Sequence, residues 1–167
     1  SANYTVPAQA SGCFGGIDVG EKKHHVIISK IVNHKLRPVW IGTVNEFLGP
    51  IDSMEELMYK FNIQMLVIDA KPETKKVREL IEKFPNKIFA AYYPTRKFDI
   101  QNYYIFDDFK SEVYIDKTIS LDYLISDIQR NTNLELPSNA KFIPDFYEHM
   151  TSSMRVNEIN PKTGQPQ

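Results

Sequence analysis

The sequence predicts an α/β domain: a central mixed sheet of five or more strands, the first three antiparallel and the fourth parallel to the first, flanked by helices. Three observations carry this expectation. Short apolar and β-branched runs fill the first 44 residues. Two segments with apolar residues at i, i+3, i+4 and i+7 follow, each leading into a strand-like run. The unit from Met65 to Tyr93 reads strand–helix–strand, which closes into a parallel pair with a right-handed crossover.

Phe14 to Gly20 is a short apolar run with glycines near both ends, the pattern of a buried strand. His25 to Val32 and Leu36 to Val44, joined at Asn33-His34-Lys35, read as a hairpin. Ser53 opens a helix, and Glu56 three residues later completes a capping box. Met54, Leu57, Met58 and Phe61 form its apolar stripe. Met65 to Asp69 is the fourth strand. Pro72 suits the first turn of a second helix, whose stripe is Val77, Leu80, Ile81 and Phe84 and which Pro85-Asn86 ends. Lys87 to Tyr93 is the fifth strand. Tyr103 to Ile115 has strand character broken at Asp107-Asp108, as in a hairpin. Leu121, Leu124, Ile125 and Ile128 mark a third helix, and Asn131 to Asn139 a loop. This element order is that of the RNase H-like fold, in which the fourth strand lies beside the first at the centre of the sheet.

The chain of 167 residues is long enough for one domain with a proper core. Its net charge of −1 gives no global positive field, although a local basic patch suffices to hold a phosphate backbone. The single cysteine, Cys13, excludes an internal disulfide or a cysteine-rich zinc site and is expected to be a small apolar residue at a strand start. No apolar run approaches the roughly 18–20 residues of a membrane span, and the first dozen residues are small and polar, unlike a signal peptide. A start at Ser1-Ala2 leads to the expectation of a piece of a larger protein, most simply a cytosolic one.

Asp18 interrupts a buried run and Asp69 terminates one. A charge in such a place is costly unless it is paired, hydrogen-bonded or bound to a cation. With their strands as neighbours about 4.8 Å apart, the two carboxylates approach each other. A divalent cation removes the repulsion, and oxygen ligands without a Cys or His cluster favour Mg²⁺ or Mn²⁺. Two such ions roughly 4 Å apart can activate water and stabilise the leaving oxygen of a phosphodiester. The plain alternatives are that Asp69 caps the second helix and that Asp18 is a turn residue bonded to Gly20. His24 and His25 point to opposite strand faces, so both can hardly bind one ion. Lys71, Lys75, Lys76 and Arg78 read as the solvated face of the second helix. Because that helix starts beside Asp69, Lys71 and Lys75 are also expected to support DNA phosphates, with Arg96 and Lys97 extending the patch. Tyr92, Tyr93, Tyr103 and Tyr104 read as core or rim.

Gly16-Ile17-Asp18-Val19-Gly20, followed by Val67-Ile68-Asp69-Ala70-Lys71-Pro72-Glu73-Thr74, resembles the C-terminal nuclease domain of the large terminase subunit of tailed bacteriophages. Asp116-Lys117-Thr118 through Leu121-Asp122 to Leu136-Pro137 is also similar to that family, as is Phe146 to Arg155 with Glu148-His149-Met150. The resemblance covers about Phe14 to Arg155. It implies a nuclease that cuts concatemeric double-stranded viral DNA during genome packaging in the cytoplasm of an infected bacterial host, using Mg²⁺ or Mn²⁺. Asp18 and Asp69 match its first two acidic positions. The implied partners are double-stranded DNA, the terminase ATPase domain, the small terminase subunit and the portal, with no membrane. No phosphate loop occurs in this chain, as expected of a piece lacking the ATPase. The family's third acidic residue, in a Gly-Pro-Asp-like context before an apolar helix, has no match here. It is expected beyond the chain end, with Asp145 the substitute within it and Glu148 and His149 further options. The expected division is a flexible linker over 1–12, an RNase H-like nuclease domain over 13–156 and a mobile tail over 157–167. Competing readings are another RNase H-like nuclease of resolvase or transposase type, a non-catalytic scaffold that binds DNA or portal, and an actin-like or sugar-kinase lobe. For the last, Glu21-Lys22-Lys23 is a poor phosphate cradle.

Overall fold

A computed structural model of the chain describes residues 4–5, 12–96 and 98–136. These fall in a compact unit running Ser1–Pro137. The positions Lys97, Asp145, Glu148 and His149, the segment 146–155, the tail 157–167 and most of 1–12 lie outside the described residues.

The described chain is α/β. Its strands are β1 (Tyr4–Thr5), β2 (Cys13–Asp18), β3 (His24–Val32), β4 (Lys35–Val44), β5 (Ile63–Asp69), β6 (Ile88–Tyr92), β7 (Tyr104–Asp107) and β8 (Glu112–Ile115). The helices are α1 (Met54–Lys60), α2 (Thr74–Lys83) and α3 (Lys117–Arg130). One sheet holds all eight strands in the order β1-β4-β3-β2-β5-β6-β8-β7. β2, β3 and β4 form the expected antiparallel meander, and β5 lies parallel beside β2. β6 and then β8 continue the parallel set, and β7 closes the edge as an antiparallel hairpin strand. The pairing of Tyr4–Thr5 with Ile41 and Trp40 adds a short strand where the sequence suggested only linker.

Local chemistry explains the turns. Asn33 and His34 both have positive φ, 50° and 63°, as a two-residue hairpin loop requires. In the β7–β8 turn, Asp107 Oδ1 accepts from Lys110 N at 3.0 Å. Ser53 caps α1, accepting from Glu56 N at 3.0 Å. In return, the Glu56 carboxylate accepts from Asp52 N–H at 2.9 Å, one residue earlier than in a regular capping box. Pro72 is not in the first turn of α2: it follows a cis Lys71-Pro72 peptide, and the helix begins at Thr74 with Glu73 as N-cap. The sequence expectation put Pro72 inside the first turn, whereas the helix starts two residues after it.

The main core lies between one face of the sheet and α1 and α2. Cys13, Ile17, Val26, Ile28, Leu66, Ile68, Ile88 and Ala90 meet Met54, Leu57, Met58, Val77, Leu80 and Ile81 there. Gly15 allows the closest approach of β2 and β5: a Cβ on it would lie 2.8 Å from Leu66 Cδ1. The opposite face carries a smaller cluster of Phe89, Ala91 and Val113, flanked by Val67 and Ile115. α3 lies on that side, since Ser120 shares a trough of about 220 Å³ with Val67, Val113 and Ile115. The helix starts near the end of β6 and finishes beside the start of β4, where Asn131 O accepts from Lys35 Nζ at 2.9 Å. It has no buried residue among those described, and Leu124 and Ile125 of its stripe remain more than two-fifths exposed. No described helix is long and apolar enough to cross a membrane.

Candidate functional site

Asp18 and Asp69 are the last residues of β2 and β5. Ile17 pairs with Ile68 across these parallel strands, so the aspartates follow side by side. Both isoleucines point into the main core, and strand alternation therefore turns both carboxylates to the opposite face. Asp18 is exposed and Asp69 half-buried. Asp69 does not cap α2; the residue at that cap is Glu73, and Thr74 Oγ1 donates to Ala70 O at 2.9 Å instead.

The pair has structured surroundings. Tyr93, just past β6, donates its hydroxyl to Asp69 Oδ1 at 2.8 Å. Lys117, the first residue of α3, places its ammonium 5.5 Å from the centre of the Tyr93 ring. Burial pushes the Asp69 carboxyl above its usual range; the Tyr93 hydrogen bond opposes this, and the adjacent Asp18 adds to it, with the Lys117 charge pulling the other way. Burial and the Asp69 carboxylate push the Tyr93 phenol well upward, so it remains a proton donor in the hydrogen bond at neutral pH. Two acidic groups whose charges conflict, at an open strand end, form an arrangement that a cation relieves.

The histidine pair separates as strand alternation requires. His24 is buried on the core side, stacked on Phe47 at 4.4 Å, and its Nδ1 has no hydrogen-bond partner. Burial, then the Lys76 charge, lowers its pKa. His25 faces the other way, directly across from Asp18 in the β2–β3 register, with Thr43 of β4 opposite it. Thr43, His25, Asp18 and Asp69 thus form a polar rank across four strands. Among the described residues, no group of three or more His, Cys, Asp or Glu side chains gathers tightly enough to hold a metal ion.

The basic residues expected to touch DNA are dispersed. Lys71 is exposed just after β5, while Lys75 is exposed on α2, a helix packed on the sheet face opposite the aspartates. Arg96 stacks on Phe98 at 4.6 Å, and Lys97 is outside the described residues. Lys76 pairs with Glu73 at 3.7 Å, and Arg78 with the Glu112 carboxylate. Sequence reasoning missed Tyr93 and Lys117 as neighbours of Asp69, because both are far from it in the chain. A donor aromatic at the end of a strand next to the acidic strand was the one available signal.

In comparisons with known proteins, the chain matches no family model, no curated protein and no solved structure.

Proposed function

We propose that this chain is a metal-dependent endonuclease domain of the RNase H-like class, acting on double-stranded DNA. The observation that carries this reading is the placement of Asp18 and Asp69 on neighbouring parallel strands, side by side on one face, with Asp69 held by Tyr93. The strand order supports it, with an antiparallel meander leading into a parallel set and the acidic strands adjacent at its centre. The likeness of Gly16–Gly20 and Val67–Thr74 to the terminase nuclease domain narrows the proposal to cleavage of concatemeric viral DNA during packaging. On that reading the chain works beside a terminase ATPase, the small subunit and the portal in an infected bacterial cell.

The donor set fits Mg²⁺ or Mn²⁺: two hard oxygen ligands, a like-charge conflict, and no thiolate nearby. Asp18 and Asp69 would hold the ion. When bound, it would supply Lewis-acid activation of water and of the scissile phosphate. Tyr93 fixes the orientation of the Asp69 carboxylate. The exposure of Asp18 leaves room for a duplex backbone to approach from outside the sheet end.

The test is cleavage of supercoiled plasmid in Mn²⁺ or Mg²⁺. The expected result is nicking and linearisation by the parent chain, abolished in Asp18→Asn and in Asp69→Asn. DNA binding that persists unchanged in Asp18→Asn, with no cleavage by the parent under any divalent ion, would replace the nuclease with a DNA-binding scaffold. Cleavage confined to branched DNA would replace the packaging nuclease with a resolvase-type enzyme.

A further inference from the structure

Lys117 occupies a position that helix stability does not explain. It is the first residue of α3, where a positive charge opposes the helix dipole. The first turn carries no acidic residue to offset it, beyond the Asp116 cap whose Oδ1 is already bonded to Ile119 N at 2.9 Å. The side chain is exposed, yet the fold gives it a seat: its ammonium stands over Tyr93, 5.5 Å from the ring centre, and the hydroxyl of that ring is bonded to Asp69. A cation over an aromatic face is held by the ring quadrupole, so the charge is directed toward the carboxylates. The other basic residues are placed differently: Lys71 is exposed two residues past Asp69. Lys75 is on the far side of the sheet, and Arg96 is stacked on Phe98.

We propose that Lys117 is the site's phosphate-binding residue, contacting the phosphodiester whose cleavage Asp18 and Asp69 support; this rests on the nuclease reading given above. Without a divalent ion, Lys117 serves as a counter-charge to the aspartate pair. With the pair neutralised, the same ammonium is free to bond a phosphate oxygen lying over the strand ends. The two roles follow from one location, because the anion that replaces the carboxylates as its partner must sit beside them. Tyr93 holds Asp69 with its hydroxyl and Lys117 with its ring, so it couples the two positions.

The test uses the full chain with Lys117→Met and Lys117→Arg, a short DNA duplex and Mn²⁺. Removing the charge is expected to tighten Mn²⁺ binding by about threefold to tenfold, since a like charge leaves the neighbourhood of the carboxylates. It is also expected to weaken duplex binding and reduce the salt dependence of that binding by about one counterion. Lys117→Arg should retain the salt slope and most of the DNA affinity. Binding measured in Ca²⁺ needs no turnover, so it reads Lys117 whether or not the parent cuts efficiently. Unchanged DNA affinity and salt slope in Lys117→Met, alongside cleavage that Asp18→Asn abolishes, would overturn the role of Lys117 and leave the nuclease standing. A parent that neither binds Mn²⁺ at the pair nor cuts DNA would remove the nuclease reading, and the phosphate role with it.

Discussion

The Tyr93 hydroxyl reaches Asp69 Oδ1 at 2.8 Å, across the boundary between two parallel strands, and ties the end of β6 to the acidic end of β5. Asp69 carries conflicting pressures: burial and Asp18 favour its protonated form, while Tyr93 and Lys117 favour the carboxylate.

Tyr93→Phe keeps the ring under Lys117 and removes only the hydrogen bond. Its loss takes away a stabiliser of the Asp69 carboxylate, so the carboxyl should titrate at higher pH than in the parent. The metal-free protein should lose roughly 0.5–1.5 kcal/mol at neutral pH, the usual net worth of such a bond. Carboxyl NMR titration and denaturant melts measure the two effects; an Asp69 titration unmoved or shifted down would contradict the assignment.

A divalent ion that binds at the pair should stabilise the fold by mass action. At about 100 times its Kd, Mn²⁺ should add roughly 2.7 kcal/mol, or a rise in Tm of about 5–10 °C. Asp18→Asn and Asp69→Asn should each abolish most of the shift. Differential scanning calorimetry with and without Mn²⁺ checks this, and an equal shift in both variants would place the ion elsewhere.

Asp69→Asn should also stabilise the metal-free protein. Because the folded-state pKa of Asp69 is raised, the folded protein holds the proton more tightly than the unfolded chain does. Stability from this group is therefore present at low pH and is lost as pH rises from the unfolded value of 3.8 through the folded one. At neutral pH the full penalty applies, and asparagine removes it. The expected readout is a Tm a few degrees above the parent at pH 7, with the difference shrinking toward pH 4.

His24 gives the opposite dependence. Its folded-state pKa is lowered by burial, so the unfolded chain binds the proton more readily. Stability from this residue is intact above its unfolded value of 6.5 and is lost as pH falls below it toward the folded pKa. His24→Leu should flatten that part of the stability–pH curve. Melts between pH 5 and 8 compare the two proteins, and an identical slope would mean that another group titrates.

Gly15 and Gly16 are adjacent but face different sides, and alanine distinguishes them. Gly15→Ala puts a methyl 2.8 Å from Leu66 Cδ1 in the core, whereas on Gly16 the nearest atom, Ile27 Cγ2, is at 3.7 Å. The first substitution should cost about 1–3 kcal/mol by overpacking, and the second should be tolerated. Urea denaturation of both variants tests the facing of β2, and with it the face to which Asp18 points.

Much of the fold is legible from local pattern. The apolar spacing of Met54, Leu57 and Met58 and of Val77, Leu80 and Ile81 places α1 and α2, because a helix must bury one stripe. The Asn33-His34 turn and the β-branched runs around it place the β3–β4 hairpin. Short irregular links resisted reading: the Lys71-Pro72 peptide and the late start of α2 depend on how β5 leaves the sheet, which propensity does not encode. The two-residue strand Tyr4–Thr5 was equally hidden, since so short a run shows itself only by pairing with the edge of β4.

Of the candidate site, the sequence by itself singled out Asp18 and Asp69 as candidates, because a carboxylate at the end of a buried run is costly enough to stand out in one dimension. It also determined that His24 and His25 point apart, since strand period alone requires it. Only the tertiary structure decided what surrounds the pair. Tyr93 is 24 residues from Asp69 and meets it because β5 and β6 are parallel and in register. Lys117 reaches the same place because β8 returns the chain to that end of the sheet before α3 begins, and His25 because β3 pairs with β2. Strand register is set by packing across the whole sheet, so the company each aspartate keeps is fixed only when the sheet closes.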